Sequence, residues 1–113
     1  MDCIFCKIVA GQIPSDILYT DDKVIAFRDI NPMAPVHLLI IPRLHVTSLN
    51  DMTEAQVPLI GYIIYVAKLL AERQGIAEKG YRVVVNCGRY GGQVVQHLHI
   101  HLLGGRGLIN GLG

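Results

Sequence analysis

The stretch Gln96-His97-Leu98-His99-Ile100-His101-Leu102-Leu103, followed at once by Gly104-Gly105, decides how this chain is read. Histidine and aliphatic residues alternate with a period of two, the side-chain period of a β-strand. His97, His99 and His101 are therefore expected on one face, and Leu98, Ile100 and Leu102 on the other. Packing alone would favour Val, Ile or Thr at the histidine positions, and an imidazole buried without a partner is costly. Three in step point to shared chemistry. Imidazole titrates near neutrality, attacks phosphorus or acyl centres, and donates hydrogen bonds to anions. One metal ion held by all three is disfavoured, because same-face neighbours on a strand lie roughly 6.5–7 Å apart, and the outer two about 13 Å.

Composition narrows the classes. The chain has 113 residues, enough for a single domain (1–113) with its own core. A hydrophobic content of 51% argues against disorder. The formal net charge is +1 and there is no Lys/Arg run. A long nucleic acid is therefore not expected as partner, although a single phosphate is compatible. The longest apolar stretch, Val57 to Leu70, contains Pro58, Gly61 and Lys68. It reads as too short and too broken to span a bilayer, so no membrane is expected. Met1-Asp2-Cys3 lacks the basic and apolar regions of a secretion signal, which makes a cytoplasmic location the default expectation. In that compartment the three cysteines read as thiols or metal ligands, not as a disulfide framework.

Along the chain, Cys3 to Val9 reads as a short helical turn ended by Gly11 and Pro14. Ile17 to Thr20 and Val24 to Arg28 read as a hairpin turning at Asp21-Asp22. Asp29-Ile30-Asn31-Pro32-Met33-Ala34-Pro35 is a loop stiffened by prolines. His37 to Ile41 is a nearly continuous apolar strand, suited to a central position, and it ends at Pro42. Thr53 with Gln56 fits a capping box ahead of the one long helix. Pro58 means either a kink or a start at Val57. Leu59, Ile63, Val66 and Leu70 recur at helical spacing, and Gly75 suits the helix end. Tyr81 to Asn86 and Val94 to Leu103 are the remaining strands, and the tail Gly107 to Gly113 is unassigned. The order predicts an α+β domain with a mainly antiparallel sheet.

The loop Cys87-Gly88-Arg89-Tyr90-Gly91-Gly92-Gln93 runs straight into the histidine strand. Glycines let backbone N–H groups approach an anion closely. An anion held by Gly92 and Gln93 would lie near the middle imidazole, with Asn86 as a further side-chain donor. The plain alternative is a tight turn capped by Asn86.

The run His-Leu-His-Ile-His-Leu-Leu resembles the histidine-triad pattern. The resemblance extends through Ile4-Phe5-Cys6-Lys7-Ile8, Ala26-Phe27-Arg28-Asp29-Ile30, His37-Leu38-Leu39-Ile40-Ile41-Pro42, Gly91-Gly92-Gln93 and Leu103-Gly104-Gly105-Arg106. It is similar to the Hint branch, the purine nucleoside phosphoramidases. The resemblance implies a five-stranded sheet with one long helix and a short N-terminal helix, joined to a second sheet in a homodimer. It implies hydrolysis of nucleoside 5′-phosphoramidates or acyl-nucleotides through a covalent nucleotidyl-histidine, releasing the nucleoside monophosphate. The competing reading is a module that binds purine nucleotides, or a protein partner, with little turnover.

Carried over by residue, the resemblance makes His99 the nucleophile. The His97 backbone carbonyl orients it, His101 donates to the phosphate, and His37 supports the network. Ile4, Phe5, Ile8, Ile13, Phe27 and Ile30 match the nucleobase pocket, and Asp29 matches the acceptor of both ribose hydroxyls. Val94 and Val95 follow the glycine loop beside the phosphate. Val94 stands where animal relatives carry a serine that reaches the leaving nitrogen, and the tail lacks their aromatic ending. Catalysis of this kind needs no metal. Cys3 and Cys6 read as thiols or metal ligands, and the resemblance implies that with His45 and His97 they would hold a structural zinc. Cys87 reads as a free thiol.

Overall fold

A computed structural model describes residues 3–109. Residues 110–113 of the unassigned tail lie outside the described residues. The elements run α1 (Ile4–Val9), β1 (Ile17–Thr20), β2 (Val24–Arg28), β3 (Val36–Pro42), α2 (Val57–Arg73), β4 (Arg82–Val84) and β5 (Ile100–Gly104). The five strands form one sheet in the order β1-β2-β3-β5-β4, with every neighbouring pair antiparallel. This is the expected α+β architecture, with one long helix and one short one.

Local chemistry explains the joints. The β1–β2 turn is tied by Asp21, whose Oδ1 accepts the Lys23 and Val24 amides at 2.8 Å each. Its Oδ2 accepts Tyr19 Oη–H at 2.9 Å and also Tyr62 Oη–H, linking the hairpin to α2. The Thr53/Gln56 capping box is present and caps a 3₁₀ turn, Glu54–Gln56. The α-helix then starts at Val57, so Pro58 falls in its first turn, where no intrahelical N–H is lost. Gly75, at φ 74°, ends it. The Ile76 amide donates to Ala71 O at 3.0 Å and the Gly75 amide to Glu72 O at 3.1 Å, a Schellman closure.

Two apolar layers sandwich the sheet. On one face Ile63, Val66, Ala67, Leu70 and Ala71 of α2 pack on Val24, Ala26, Leu38, Ile40, Ile100 and Leu102. On the other, Cys3, Phe5 and Ile8 cover Ile25, Phe27, Leu39 and Ile41. The sequence expectation about membrane spanning needs correcting on length. With its 3₁₀ start, Glu54–Arg73 is 20 residues with mean hydropathy 1.3, long and apolar enough to cross a bilayer. One face of it, through Ile63, Val66, Ala67, Leu70 and Ala71, is buried against the sheet.

A second correction concerns the histidine strand. It was expected over Val94 to Leu103, but β5 begins at Ile100, so His97 and His99 precede it. The neighbour β3 stops at Pro42, and the pairing register ends at Ile40 opposite Ile100. Before that point the chain leaves the ladder, and the Leu98 amide donates instead to Val46 O at 2.7 Å. The alternation survives without the ladder. Leu98, Ile100 and Leu102 are buried, and His99 and His101 line the opposite side.

Candidate active site and metal centre

A cleft of about 480 Å³ lies on the α1 side of the sheet. Phe5, Ile8, Ile13, Phe27, Asp29, Ile30, Val94, Val95, His37, His99 and His101 all line it. Phe5 from α1 sets its ring edge-on to His99, 5.2 Å between centroids at 89°, and to Phe27 at 5.4 Å. Ile30 and Val94 are exposed at the rim. Asp29 follows β2 directly. Its Oδ1 accepts the Asn31 amide at 2.8 Å, and its Oδ2 lies 3.4 Å from His37 Nε2.

Hydrogen bonds order the imidazole protons. The Met33 amide donates to His37 Nδ1 at 3.0 Å, so that nitrogen carries the lone pair and neutral His37 holds its proton on Nε2. Nε2–H then donates to His101 Nδ1 at 2.9 Å, which places the His101 proton on Nε2. His99 Nδ1–H donates to the His97 carbonyl at 2.6 Å, leaving a lone pair on His99 Nε2. The result is a nucleophilic nitrogen on one ring and an N–H donor on the next, with ring centroids 5.0 Å apart. Nothing in the sequence marks the Met33 amide as the donor that sets this order. A main-chain donor leaves no side-chain signal, and only the flanking prolines marked that loop as rigid.

Burial keeps these rings neutral. Desolvation lowers His99, opposed by its bond to the His97 carbonyl and by Asp29. Burial also lowers His37. His101 is pushed down to about 4 by burial first, then by His99 and His37. An unfolded histidine titrates near 6.5, above the folded His101. Between those values the unfolded chain binds more protons, so stability falls as pH falls through the window from 6.5 to about 4. Thermal melts from pH 7 to 4.5 should show that decline, and His101→Gln should decline less. An equal decline in both would contradict the assignment.

The His97 side chain turns away from the cleft. Its Nε2–H donates to Pro42 O at 2.8 Å, which leaves the Nδ1 lone pair pointing into a cluster. Cys3 Sγ lies 3.4 Å from that nitrogen, Cys6 Sγ 3.6 Å and His45 Nδ1 3.1 Å. His45 Nε2 meets Thr47 Oγ1 at 3.3 Å, so its Nδ1 also faces inward. Tetrahedral zinc with thiolate and imidazole ligands separates its donors by roughly 3.3–3.8 Å. The observed spacings, the S₂N₂ donor set and the two outer hydrogen bonds on the imidazoles fit zinc. Asp29, His37 and His101 also converge closely enough to hold an ion. There the Met33 amide occupies His37 Nδ1, so a metal on Nε2 would require an imidazolate. That cluster is a proton-ordering chain.

Three expected phosphate contacts are not in the cleft. The Gly92 amide donates to Arg89 O at 3.1 Å and the Gln93 amide to Gly88 O at 3.0 Å, so both N–H groups close the loop on itself. The Gln93 side chain is buried, accepting from the Gly88 amide at 2.9 Å and donating to Thr47 O at 2.7 Å. Asn86 Nδ2 donates to Gly91 O at 2.7 Å and faces a neighbouring cavity of about 330 Å³ that shares His37 and His101 as walls. These residues brace the loop. Gly91 is required there, because a Cβ would sit 2.3 Å from Cys87 O.

An antiparallel five-stranded sheet carrying paired, proton-ordered histidines over an apolar cleft defines a histidine-triad protein. The sequence matches the HIT domain family over residues 10–108, and the chain belongs to that family. It is 52% identical over 107 residues to the purine nucleoside phosphoramidase of Escherichia coli strain K12, covering 95% of this chain and 90% of that protein. It is also 52% identical over 105 residues to the 14 kDa zinc-binding protein of Zea mays, covering 91% of this chain and 81% of that one. A solved histidine triad protein from Clostridium difficile superposes with a TM-score of 0.95 at 46% identity, over 99% of this chain and 97% of that one.

Proposed function

We propose that this chain is a nucleotide hydrolase that cleaves nucleoside 5′-phosphoramidates and acyl-nucleotides through a nucleotidyl-His99 intermediate. One observation carries the reading. His99 presents an unprotonated Nε2 beside a His101 N–H, at the mouth of an apolar cleft that also holds a carboxylate. The purine lies among Phe5, Ile8, Ile13 and Phe27, and Asp29 accepts the ribose hydroxyls with the oxygen capacity left by Asn31. His99 Nε2 attacks phosphorus, the bond to the leaving group breaks, and the leaving group departs with a proton taken from solvent water at the rim. His101 Nε2–H holds the phosphoryl oxygens as their charge grows. Water then cleaves the P–N bond to His99 and frees the nucleoside monophosphate. The E. coli and Z. mays relatives support hydrolysis and a structural zinc at Cys3, Cys6, His45 and His97, respectively.

Turnover of an adenosine 5′-phosphoramidate carrying a fluorescent amine tests this. Asp29→Asn should raise KM roughly 10-fold or more, the worth of a charge-assisted hydrogen bond, and change kcat less. No release by the wild type would overturn the reading. Val94 favours a second reading, a purine-nucleotide binder with little turnover, because an exposed valine neither donates nor accepts a proton at the rim. Calorimetry showing AMP binding without product would favour it.

We extend the proposal to a cytoplasmic homodimer. β4 is the outer strand at one edge of the sheet, and Val83 on it and Ile64 and Tyr65 on α2 remain exposed. Sedimentation should give twice the 12.4 kDa chain mass, and a monomer at micromolar concentration would contradict this.

A further inference from the structure

We infer that the Cys3–Cys6–His45–His97 centre aims the nucleophile, so that metal binding and nucleotide binding are coupled. His97 belongs to both sites. Its ring faces the cysteine–histidine cluster, and its carbonyl holds His99 Nδ1–H at 2.6 Å. The peptide group that contains this carbonyl is gripped at its other end, where the Leu98 amide donates to Val46 O at 2.7 Å. Each partner of that bond is the direct chain neighbour of a cluster residue, Val46 of His45 and Leu98 of His97. An ion bridging the two imidazoles therefore clamps the peptide plane that orients His99.

The fold makes this clamp necessary. His97 and His99 precede β5, so the sheet ladder does not fix them. A second path runs through α1. Cys3 caps that helix and Cys6 lies within it, and both thiols face His97 Nδ1. Phe5, between them, lays its ring edge-on to His99 and forms a wall of the cleft. Ligation thus fixes His99 from behind, through the carbonyl, and from beside, through Phe5. A cavity of about 460 Å³ lined by Cys3, His45, Val94 and Val95 borders the cluster.

The inference rests on the proposed hydrolase reading, and its test separates the two. Cobalt(II), followed by its visible absorption, is titrated into chelator-stripped protein with and without AMP. AMP should raise cobalt affinity roughly 5- to 50-fold, and cobalt should raise AMP affinity by the same factor, because such coupling is reciprocal. In ¹⁵N spectra the His99 Nδ1–H signal should be sharp with zinc and exchange-broadened after chelation. Cys3→Ala/Cys6→Ala should reproduce the stripped behaviour, and Cys87→Ala, in the glycine loop, should not. Affinities that are independent of each other, with an unchanged His99 signal, would overturn the inference. Should the stripped protein unfold, the AMP dependence of the cobalt off-rate in the loaded protein decides. An AMP-insensitive off-rate overturns the inference. Failure of the zinc-loaded protein to turn over substrate would overturn the hydrolase reading, and an intact cobalt–AMP coupling would still uphold the clamp.

Discussion

His99→Ala is expected to form no covalent nucleotide and to lose turnover by roughly 10⁴- to 10⁶-fold, the range seen when an attacking group is removed. The loss should fall on kcat, because the base and ribose contacts are made by Phe5, Phe27 and Asp29 and remain in place. AMP binding by calorimetry should weaken by less than about 10-fold, the worth of one hydrogen bond to the phosphate. The fold should survive, since His99 contributes one hydrogen bond, to His97 O, and ring edge contacts to Phe5 and His101. Turnover equal to wild type would refute the assignment of His99. Turnover reduced only through KM would reassign it to binding.

Phe5→Ala is expected to cost about 3–5 kcal/mol of stability, the usual penalty for deleting a buried phenyl ring. That is a large share of a total near 5–15 kcal/mol. The ring is buried, meets Phe27, His97 and His99 edge-on, and anchors α1 to the outer sheet face. Deletion removes both a core contact and one wall of the cleft. Urea denaturation should show the loss. Phe5→Leu, which fills most of the volume, should recover most of the stability and keep a raised KM for purine nucleotides. A loss below about 1 kcal/mol in Phe5→Ala would show that α1 is not held by this ring.

The elements most legible in the sequence are those whose signals are local. The hairpin spans Ile17–Thr20 and Val24–Arg28 as expected, because the Asp21 side chain sets the turn between them. The long helix carries its own cap, spacing and terminating glycine. The sequence pattern extends the histidine strand beyond β5 for a specific reason. The period-two pattern of residue types continues through Leu98 and His99, but there His97 to Ile100 are all buried and the chain is held by packing and not by a strand ladder. The sequence leaves the glycine loop open between an anion cradle and a tight turn, because glycine spacing cannot reveal that Gly92 and Gln93 spend their amides on Arg89 O and Gly88 O. Cys3 and Cys6 announce themselves by spacing. His45 and His97 lie far off in sequence and joined them only through the family resemblance. The tautomer order of His37 and His101 was out of reach, because a backbone amide at Met33 sets it.

The most direct test of the account is the intact mass of the protein, quenched in acid-free denaturant within milliseconds of mixing with excess adenosine phosphoramidate. A single added nucleoside monophosphoryl group, mapped by peptide fragmentation to His99 and absent from His99→Ala, is the expected result. Multiple turnovers with no adduct at any quench time, or an adduct on another side chain, would contradict it.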